Sequence, residues 1–186
     1  MNKQVLSNVT GKFGELEVIN SGSFVDLDKK TIELIKQICL KKGIKEIHFE
    51  CHWMHRDAIA SLRNWFAQAG LTVKIKIGVE TFDNDFRENY LNKHADFKEP
   101  EEVAAYFDSP CLMVGIKGQT REMIARDIKI LKNNFKLGTI NVYTDNTTDV
   151  KKDPELIQWF AKEYGWLVED PAVEVLFENT DFGVGD

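Results

Sequence analysis

The sequence predicts an α/β protein whose parallel strands form a sheet that closes, fully or in part, into a barrel. Short alternating or apolar segments, typical of strands, take turns with longer segments whose apolar residues recur at helical spacing. Such a βαβαβα order is typical of parallel strands joined by crossover helices. Each predicted strand also ends in polar residues. This favours a barrel over an open sheet, because a barrel gathers all of its strand ends around one mouth.

The central predicted strand covers residues 72–77, where apolar residues alternate with two lysines. This period of two is typical of a strand with two different faces. We expect the strand to end at Gly78, with Glu80 after it and a helical pattern from about Asn84. A carboxylate between a strand and a helix is found where α/β sheets keep their binding sites.

Five further segments follow the same plan, an extended run that ends in polar or glycine residues. They span residues 15–20, 45–50, 111–114, 138–143 and 173 onward. Helical patterns separate the strands and begin near residues 28, 56, 84, 99, 120 and 153. Residues 1–14 are expected to form an irregular start, so we predict a single α/β domain over residues 1–186.

Four residue types mark helix ends within this pattern. Thr120 and Asp153 have side chains that accept hydrogen bonds at helix N-termini. Pro154 suits the first turn of a helix, because its missing N–H would have no partner there. Gly43 follows two lysines, as expected of a C-terminal stop.

Composition excludes several classes of function. The chain has 186 residues and 43% hydrophobic residues, enough for one domain with a substantial core. Its net charge of −6 argues against generic nucleic-acid binding, which needs clustered lysine and arginine, but is compatible with a nucleobase ligand. No apolar run approaches the roughly 20 residues of a membrane span, and no secretory signal is recognised. We therefore expect a cytoplasmic protein with a small-molecule substrate and no membrane partner; the oligomeric state stays open.

The cysteines predict neither a disulfide framework nor a closed zinc site. Cys39, Cys51 and Cys111 are odd in number, far apart in sequence and form no C-x-x-C pair. Glu50, His52 and His55 suggest a metal site at first sight, but their spacing does not secure ligand geometry. We predict no metal site at this cluster.

Glu50 and His52 are the candidate catalytic residues. Alternation places both on one side of the predicted strand end, facing the mouth. There a carboxylate and an imidazole could bind substrate or move protons. The alternative is a structural pair whose two members satisfy each other.

Two further strand ends carry candidate ligand groups. Glu80 could accept hydrogen bonds from ligand hydroxyls, or instead form an ion pair with Arg87 or Lys76. Residues 115–120 hold two glycines between a strand and a helix, which allows a ligand to approach the backbone closely. This segment lacks the ending of a phosphate-binding P-loop, and a plain tight turn is the alternative.

Polar clusters also follow the last two strands and are candidates for substrate binding. Their residues combine hydrogen-bond donors with acceptors, although such residues also form ordinary turns. The candidates are Tyr143, Asp145, Asn146, Glu178, Asn179 and Asp181.

Several of these segments, taken in order, resemble the radical S-adenosylmethionine enzymes, particularly the elongator-subunit-like and coproporphyrinogen-oxidase-like members. They are residues 20–24, Glu50, residues 77–81 and residues 114–120. The resemblance runs from about residue 15 to residue 146. It implies a partial (β/α)6 TIM-like barrel, with S-adenosylmethionine and a 4Fe-4S cluster as cofactors of the complete enzyme.

The resemblance also implies which residues meet the cofactor. The loop after the first strand would meet its methionine end with Ser21, Gly22 and Ser23, although family members often have Gly-Gly-Glu there. Glu80 matches the acid near the cofactor ribose. The glycine loop near the adenine supplies Gly115, Gly118 and Gln119. Glu50 and His52 lie where substrate groups usually bind.

One departure from the family is large. Its cluster is held by three cysteines in a C-x3-C-x2-C loop after the first strand, and this sequence has no such loop. The first strand here matches the family's second, so the resemblance implies a barrel without its first strand and helix. We expect this chain alone to hold no cluster.

Two short runs narrow the resemblance. The run Glu-x-His-Trp from Glu50 and the run Glu-Thr-Phe-Asp from Glu80 are similar to the queuine lyase branch, which acts on a 7-deazaguanine base. The alternative is a barrel fragment or degenerate relative that binds a small molecule without turning it over.

Overall fold

The computed structural model describes residues 6–20 and 22–178. The strands are β1 (Glu15–Val18), β2 (Glu46–Glu50), β3 (Thr72–Glu80), β4 (Ser109–Val114), β5 (Gly138–Val142) and β6 (Val173–Leu176). The α-helices that alternate with them are α1 (Lys29–Lys42), α2 (Ile59–Ala67), α3 (Pro100–Ala104), α4 (Arg121–Asn134) and α5 (Pro154–Tyr164). Shorter 3-10 segments cover Phe24–Asp26, Trp53–Ala58 and Gly165–Glu169.

The strands follow one another in the sheet in sequence order, from β1 to β6. They are parallel and alternate with helices, which is the architecture of a partial (β/α)6 TIM-like barrel. This confirms the predicted fold class. In the described residues, no helix is both long enough and apolar enough to cross a membrane.

The chain divides into two compact units, residues 1–76 and residues 77–186. In the first unit, β1 pairs with β2 from Glu15 opposite Glu46, and β2 pairs with β3 up to Glu50 opposite Lys76. Its core is apolar and fully buried. The largest contributors are Ile35, Ile44, Ile47, Phe49, Ile59, Phe66 and Ile75.

The second unit is built in the same way. There β4 pairs with β5 and β5 with β6, both in parallel. The buried side chains of this unit include Ile77, Phe97, Leu112, Ile124, Ile140 and Phe160. The unit also buries one guanidinium, that of Arg87.

The predicted helix ends are confirmed. Thr120 accepts a hydrogen bond from the backbone N–H of Met123 at 3.2 Å, and Asp153 accepts one from Leu156 at 3.0 Å. Gly43 ends α1 with a left-handed φ of 72°. Glycine adopts this conformation without the steric cost that other residues have.

Two predicted boundaries are wrong. β3 does not end at Gly78 but continues to Glu80, since buried and half-buried residues go on alternating through Val79. The helix predicted over residues 84–93 begins at residue 84, as expected, but it ends at Tyr90, and its last five residues, Phe86–Tyr90, form a π-helical turn. The reason is that Arg87 turns inward to bind backbone carbonyls beyond this segment, which stops a regular amphipathic helix from forming.

Candidate active site

The end of β2 carries the first group of candidate residues, and its burial alternates as predicted. Phe49 and Cys51 are buried, whereas Glu50 and His52 are half-buried. His52 caps the 3-10 segment Trp53–Ala58, and its Nδ1 accepts a hydrogen bond from Met54 N–H at 3.3 Å. Because Nδ1 is an acceptor, the neutral imidazole carries its proton on Nε2.

The loop after β1 is attached to this strand end by buried polar contacts. Ser23 Oγ accepts a hydrogen bond from the backbone N–H of His52 at 2.8 Å, and Ser23 N–H donates to Asp26 Oδ2 at 2.8 Å. A Cβ at Gly22 would lie 2.7 Å from Asp26 Oδ2, so the loop has little space for a larger residue there. Ser21 lies outside the described residues.

A separate cluster lies at the amino ends of β1 and β2. His48 Nε2 is 3.0 Å from Glu46 Oε1 and 3.6 Å from Glu15 Oε2. Carboxylate and imidazole groups are ligands of several divalent metals, but these contacts are also those of an ordinary ion-pair cluster. Since parallel strands form sites at their carboxyl ends, we leave this cluster outside the candidate site.

The end of β3 presents Glu80, with 12% of its side-chain surface exposed. Glu80 Oε1 lies 2.5 Å from Lys93 Nζ, so the predicted ion-pair partners Arg87 and Lys76 are both wrong. Those two pair with other glutamates, Glu88 and Glu17. The Glu80–Lys93 pair needs a glycine beside it, because a Cβ at Gly78 would lie 2.9 Å from Glu80 Oε1.

The backbone at Glu80 adopts an uncommon conformation. Its φ is 63°, and the N–H of Thr81 bonds to the carbonyl of Val79 at 2.7 Å. Glu80 is therefore the central residue of a three-residue γ-turn with positive φ, a rare and strained form. Residues in such conformations cost about 1–3 kcal/mol and persist only where their surroundings hold them.

Two buried charged residues hold the turn that follows. Asp127 Oδ1 accepts a hydrogen bond from Phe82 N–H at 3.0 Å, and Arg87 donates to the Thr81 carbonyl at 3.3 Å. Burial lowers the pKa of Arg87, although the neighbouring Glu88 opposes that shift. Arg87 is fully buried and also donates to the carbonyls of Ala95 and Phe97. Several acceptors therefore compensate the cost of burying its charge.

Sequence reasoning missed Asp127, although a signal was present. Within α4, Ile124, Ile128 and Leu131 form the apolar stripe. Asp127 follows Ile124 by three residues and precedes Leu131 by four, so it lies on the same face of the helix. A carboxylate on the apolar stripe of a helix is unusual, and such a residue calls for a buried partner. The partner could not be named from the sequence because it is a backbone N–H in a distant turn.

The glycine loop after β4 is closed by Gln119. Its Oε1 accepts from the N–H of Gly115 at 3.0 Å, and its Nε2 donates to the carbonyl of Met113 at 3.0 Å. Gly115 and Gly118 have φ values of 85° and 93°, which other residues rarely adopt. The Gln119 side chain thus shapes the loop, and any cofactor contact here would come mainly from the loop backbone.

Three residues after β5 are engaged in the β5–α5 loop itself. The Tyr143 hydroxyl donates to the carbonyl of Val150 at 3.1 Å, and Asp145 accepts from Lys152 N–H at 2.7 Å. Asn146 Oδ1 accepts a hydrogen bond from the backbone N–H of Thr148 at 2.9 Å. This contact is that of an ordinary turn, which was the alternative to substrate binding for these polar residues. Their substrate contacts stay predictions, as does that of exposed Glu178. The remaining candidates, Asn179 and Asp181, lie outside the described residues.

Comparison with solved structures places the chain in a family. Queuine lyase from Clostridium spiroforme, bound to SAM and queuine, is 48% identical, with a TM-score of 0.94. The match covers 100% of this chain and 79% of the other. The chain belongs to the queuine lyase family of radical S-adenosylmethionine enzymes.

A more distant structure shares the fold alone. SuiB from Streptococcus suis is 14% identical with a TM-score of 0.51, over 90% of this chain and 50% of that one. No protein-family model and no curated protein matches the chain.

The three cysteines of this chain do not fit the iron–sulfur cluster that the queuine lyase family implies. Clusters are held by thiolates. Cys39 and Cys51 are buried in the apolar core with 0% and 2% of their surface exposed, and burial raises their pKa to about 11 and about 12, so neither offers an accessible thiolate to a cluster. Cys111 is half-buried on β4, where Asn141 Nδ2 donates to its Sγ at 3.0 Å. No step of the reaction is assigned to a cluster held by these three residues.

Proposed function

We propose that this chain forms the larger part of a radical S-adenosylmethionine lyase that acts on queuine, a 7-deazaguanine base. The observation that supports this most strongly is the 48% identity, along the whole chain, to a queuine lyase whose structure holds SAM and queuine. The iron–sulfur cluster would be held by residues outside this sequence, because the three cysteines of the chain do not fit it.

Glu80 would bind the ribose of S-adenosylmethionine. Its carboxylate is largely enclosed, ion-paired with Lys93 and held at the end of β3 by a strained turn. Lys93 takes one carboxylate oxygen, and no hydrogen bond from the described residues reaches Oε2. An ionised carboxylate is a strong acceptor for hydroxyl donors, which suits a ribose diol.

Backbone groups would hold the two ends of the cofactor. The Gly115–Gly118 loop would approach the adenine with its backbone, because its positive-φ glycines allow a tight turn after β4. Ser21, Gly22 and Ser23 would meet the methionine end. S-adenosylmethionine, once bound, supplies the radical chemistry of this family.

Glu50 and His52 would serve the substrate. His52 presents Nε2–H as a donor because Nδ1 is held by Met54, and Glu50 presents a carboxylate acceptor on the same side of the strand. A 7-deazaguanine base offers both donors and acceptors along its edge, so this pair is chemically suited to it. Tyr143, Asp145, Asn146, Glu178, Asn179 and Asp181 are proposed to complete the substrate site.

A second candidate function is a binding module without turnover. The poor fit of the cysteines to a cluster favours it, because a chain that holds no cluster would bind the ligands without starting radical chemistry. Both candidates predict that the chain binds S-adenosylmethionine and queuine, and they differ only in whether queuine is consumed.

Calorimetric titration and an anaerobic assay together test these proposals. The chain should bind both ligands, and no binding of either at about 1 mM would contradict both candidates, since the binding free energy would then be weaker than about −4 kcal/mol. Anaerobic iron–sulfur reconstitution of the longest natural form of the protein, with iron counted, then separates the two candidates. A stoichiometric cluster with consumption of queuine would support the enzyme, and binding of both ligands without a cluster and without consumption would support the binding module.

A further inference from the structure

Asp127 is a buried acid that the proposed reaction does not use. Only 2% of its surface is exposed, and no hydrogen bond from the described residues reaches its Oδ2. Burial raises its pKa to about 6, although contacts with Thr81 and Phe82 oppose that shift. Leaving a polar atom unpaired in the interior costs about 1–3 kcal/mol. A cost of this size suggests that Asp127 has a role other than stabilising the fold.

The contact that Asp127 makes points to that role. Its Oδ1 binds the N–H of Phe82, two residues after Glu80. On the other side of the same turn, Arg87 binds the carbonyl of Thr81. The side chain of Thr81 is itself buried and accepts a hydrogen bond from Asp83 N–H at 3.0 Å. The peptide group between Thr81 and Phe82 is thus held from both sides, its N–H by Asp127 and its C=O by Arg87.

Apart from the turn's own hydrogen bond and the Glu80–Lys93 ion pair, the contacts that hold this turn in the described residues are those of Asp127, Arg87 and the Thr81 hydroxyl. A non-glycine residue at a φ of 63° is strained and, without these contacts, would relax toward an ordinary extended or helical conformation. Such a relaxation would rotate the Glu80 side chain away from Lys93. The anchor is rigid, because Ile124, Ile128 and Leu131 hold α4 in the core.

We propose that Asp127 is a positioning residue that keeps Glu80 in its strained turn and so presents the Glu80 carboxylate to the ligand. Naming that ligand as the ribose of S-adenosylmethionine rests on the proposed function. The positioning of Glu80 rests on the described contacts alone.

The test compares Asp127→Ala with two matched variants on the same helix. Asp127→Asn keeps an oxygen that can accept from Phe82 N–H and should preserve the turn. Ile128→Ala removes buried apolar surface one residue away and lowers stability without touching the turn. If Asp127→Ala does not fold, Asp127→Leu takes its place, because it also removes the acceptor of Phe82 N–H but fills the buried space with an apolar side chain.

Crystal structures give the first readout. In Asp127→Ala, or in its replacement, we expect the φ of Glu80 to become negative and its carboxylate to move by about 1 Å or more, a displacement large enough to disturb a site. Asp127→Asn and Ile128→Ala should keep Glu80 in place. A Glu80 that keeps its turn in Asp127→Ala, or in Asp127→Leu if the alanine variant does not fold, would overturn the proposal.

The affinity for S-adenosylmethionine gives the second readout. Asp127→Ala should weaken it about tenfold, whereas Ile128→Ala should change it by less than about twofold. Equal losses in both variants would mean that Asp127 acts through stability alone, which would also overturn the proposal. If the unmodified chain binds no S-adenosylmethionine, the proposed function fails, and the crystal structures alone decide whether Asp127 positions Glu80.

Discussion

The ends of β2 and β3 each carry a carboxylate, but they are built in different ways. Glu50 lies in regular strand geometry, and His52 begins the next element two residues later. Glu80 lies in a γ-turn followed by a peptide group that is held by the buried Arg87 and by Asp127, which is 45 residues away in sequence. A strand pattern is therefore sufficient to place a side chain, whereas buried long-range contacts are needed to fix an unusual backbone.

This difference predicts different sensitivity to mutation. At the end of β2, substitutions should act mainly where they touch the ligand. At the end of β3, substitutions of residues remote from any ligand should change both stability and binding, because the conformation of Glu80 depends on them.

The largest effect is expected from Arg87→Met. The substitution leaves the carbonyls of Thr81, Ala95 and Phe97 without their buried donor, and each unpaired group costs about 1–3 kcal/mol. Urea unfolding should show a loss of about 4 kcal/mol. The matched control, Arg126→Met, removes a half-exposed ion pair with Asp83 and should lose less than about 1 kcal/mol. Similar losses of unfolding free energy in Arg87→Met and Arg126→Met would show that the end of β3 does not depend on its buried contacts.

The pH dependence of Asp127 is the next effect. The folded pKa of about 6 lies above the value of 3.8 for an unperturbed aspartate, so the folded state binds more protons between these values. The contribution of Asp127 to stability therefore falls as pH rises from about 4 to about 6, by about 3 kcal/mol in total.

Asp127→Asn lacks this titration and gives the control for it. Relative to the variant, the wild type should lose stability from pH 4 to pH 6, and the difference should be constant above about pH 7. Chemical denaturation across this range measures the difference. A difference that does not change with pH would show that Asp127 is not perturbed by burial.

At the end of β2, Glu50→Gln and His52→Ala should lower the turnover of the reconstituted enzyme about 10²-fold, the usual contribution of a group that moves a proton. The melting temperature of Glu50→Gln should hold, because regular strand geometry does not depend on its charge. A fall in melting temperature that accounts for the lost turnover would instead identify the two as a structural pair.

The smallest effect is expected from Glu80→Gln. The isosteric amide keeps the volume but loses the charge, so binding of S-adenosylmethionine should weaken by about 1–3 kcal/mol. Glu163→Gln makes the same change on the exposed face of α5 and should leave the affinity unaltered. If calorimetry finds the same affinity in both variants with the fold intact, Glu80 is a structural residue.

The fold could be predicted because its signals are local. Alternation identified β2, and capping residues such as Thr120 and Asp153 identified the helix starts. The order of these elements then limits the architecture to a parallel sheet. The likeness to a known family added the partial barrel and the queuine lyase branch.

The candidate site could be predicted only in part. Glu80 was found because it follows a strand, but its partner Lys93 and its γ-turn were not, since a glycine at 78 suggested that the strand had already ended. Asp127 and the buried role of Arg87 were missed because both depend on backbone groups from other segments. Contacts of this kind have no signature in sequence spacing.

A crystal structure of the chain with S-adenosylmethionine and queuine tests the account most directly. We predict that the ribose hydroxyls lie within hydrogen-bond distance of Glu80, with Phe82 N–H still bonded to Asp127, and that queuine lies within reach of Glu50 and His52. Clear density for S-adenosylmethionine that contacts neither Glu80 nor the Gly115–Gly118 loop would contradict the account.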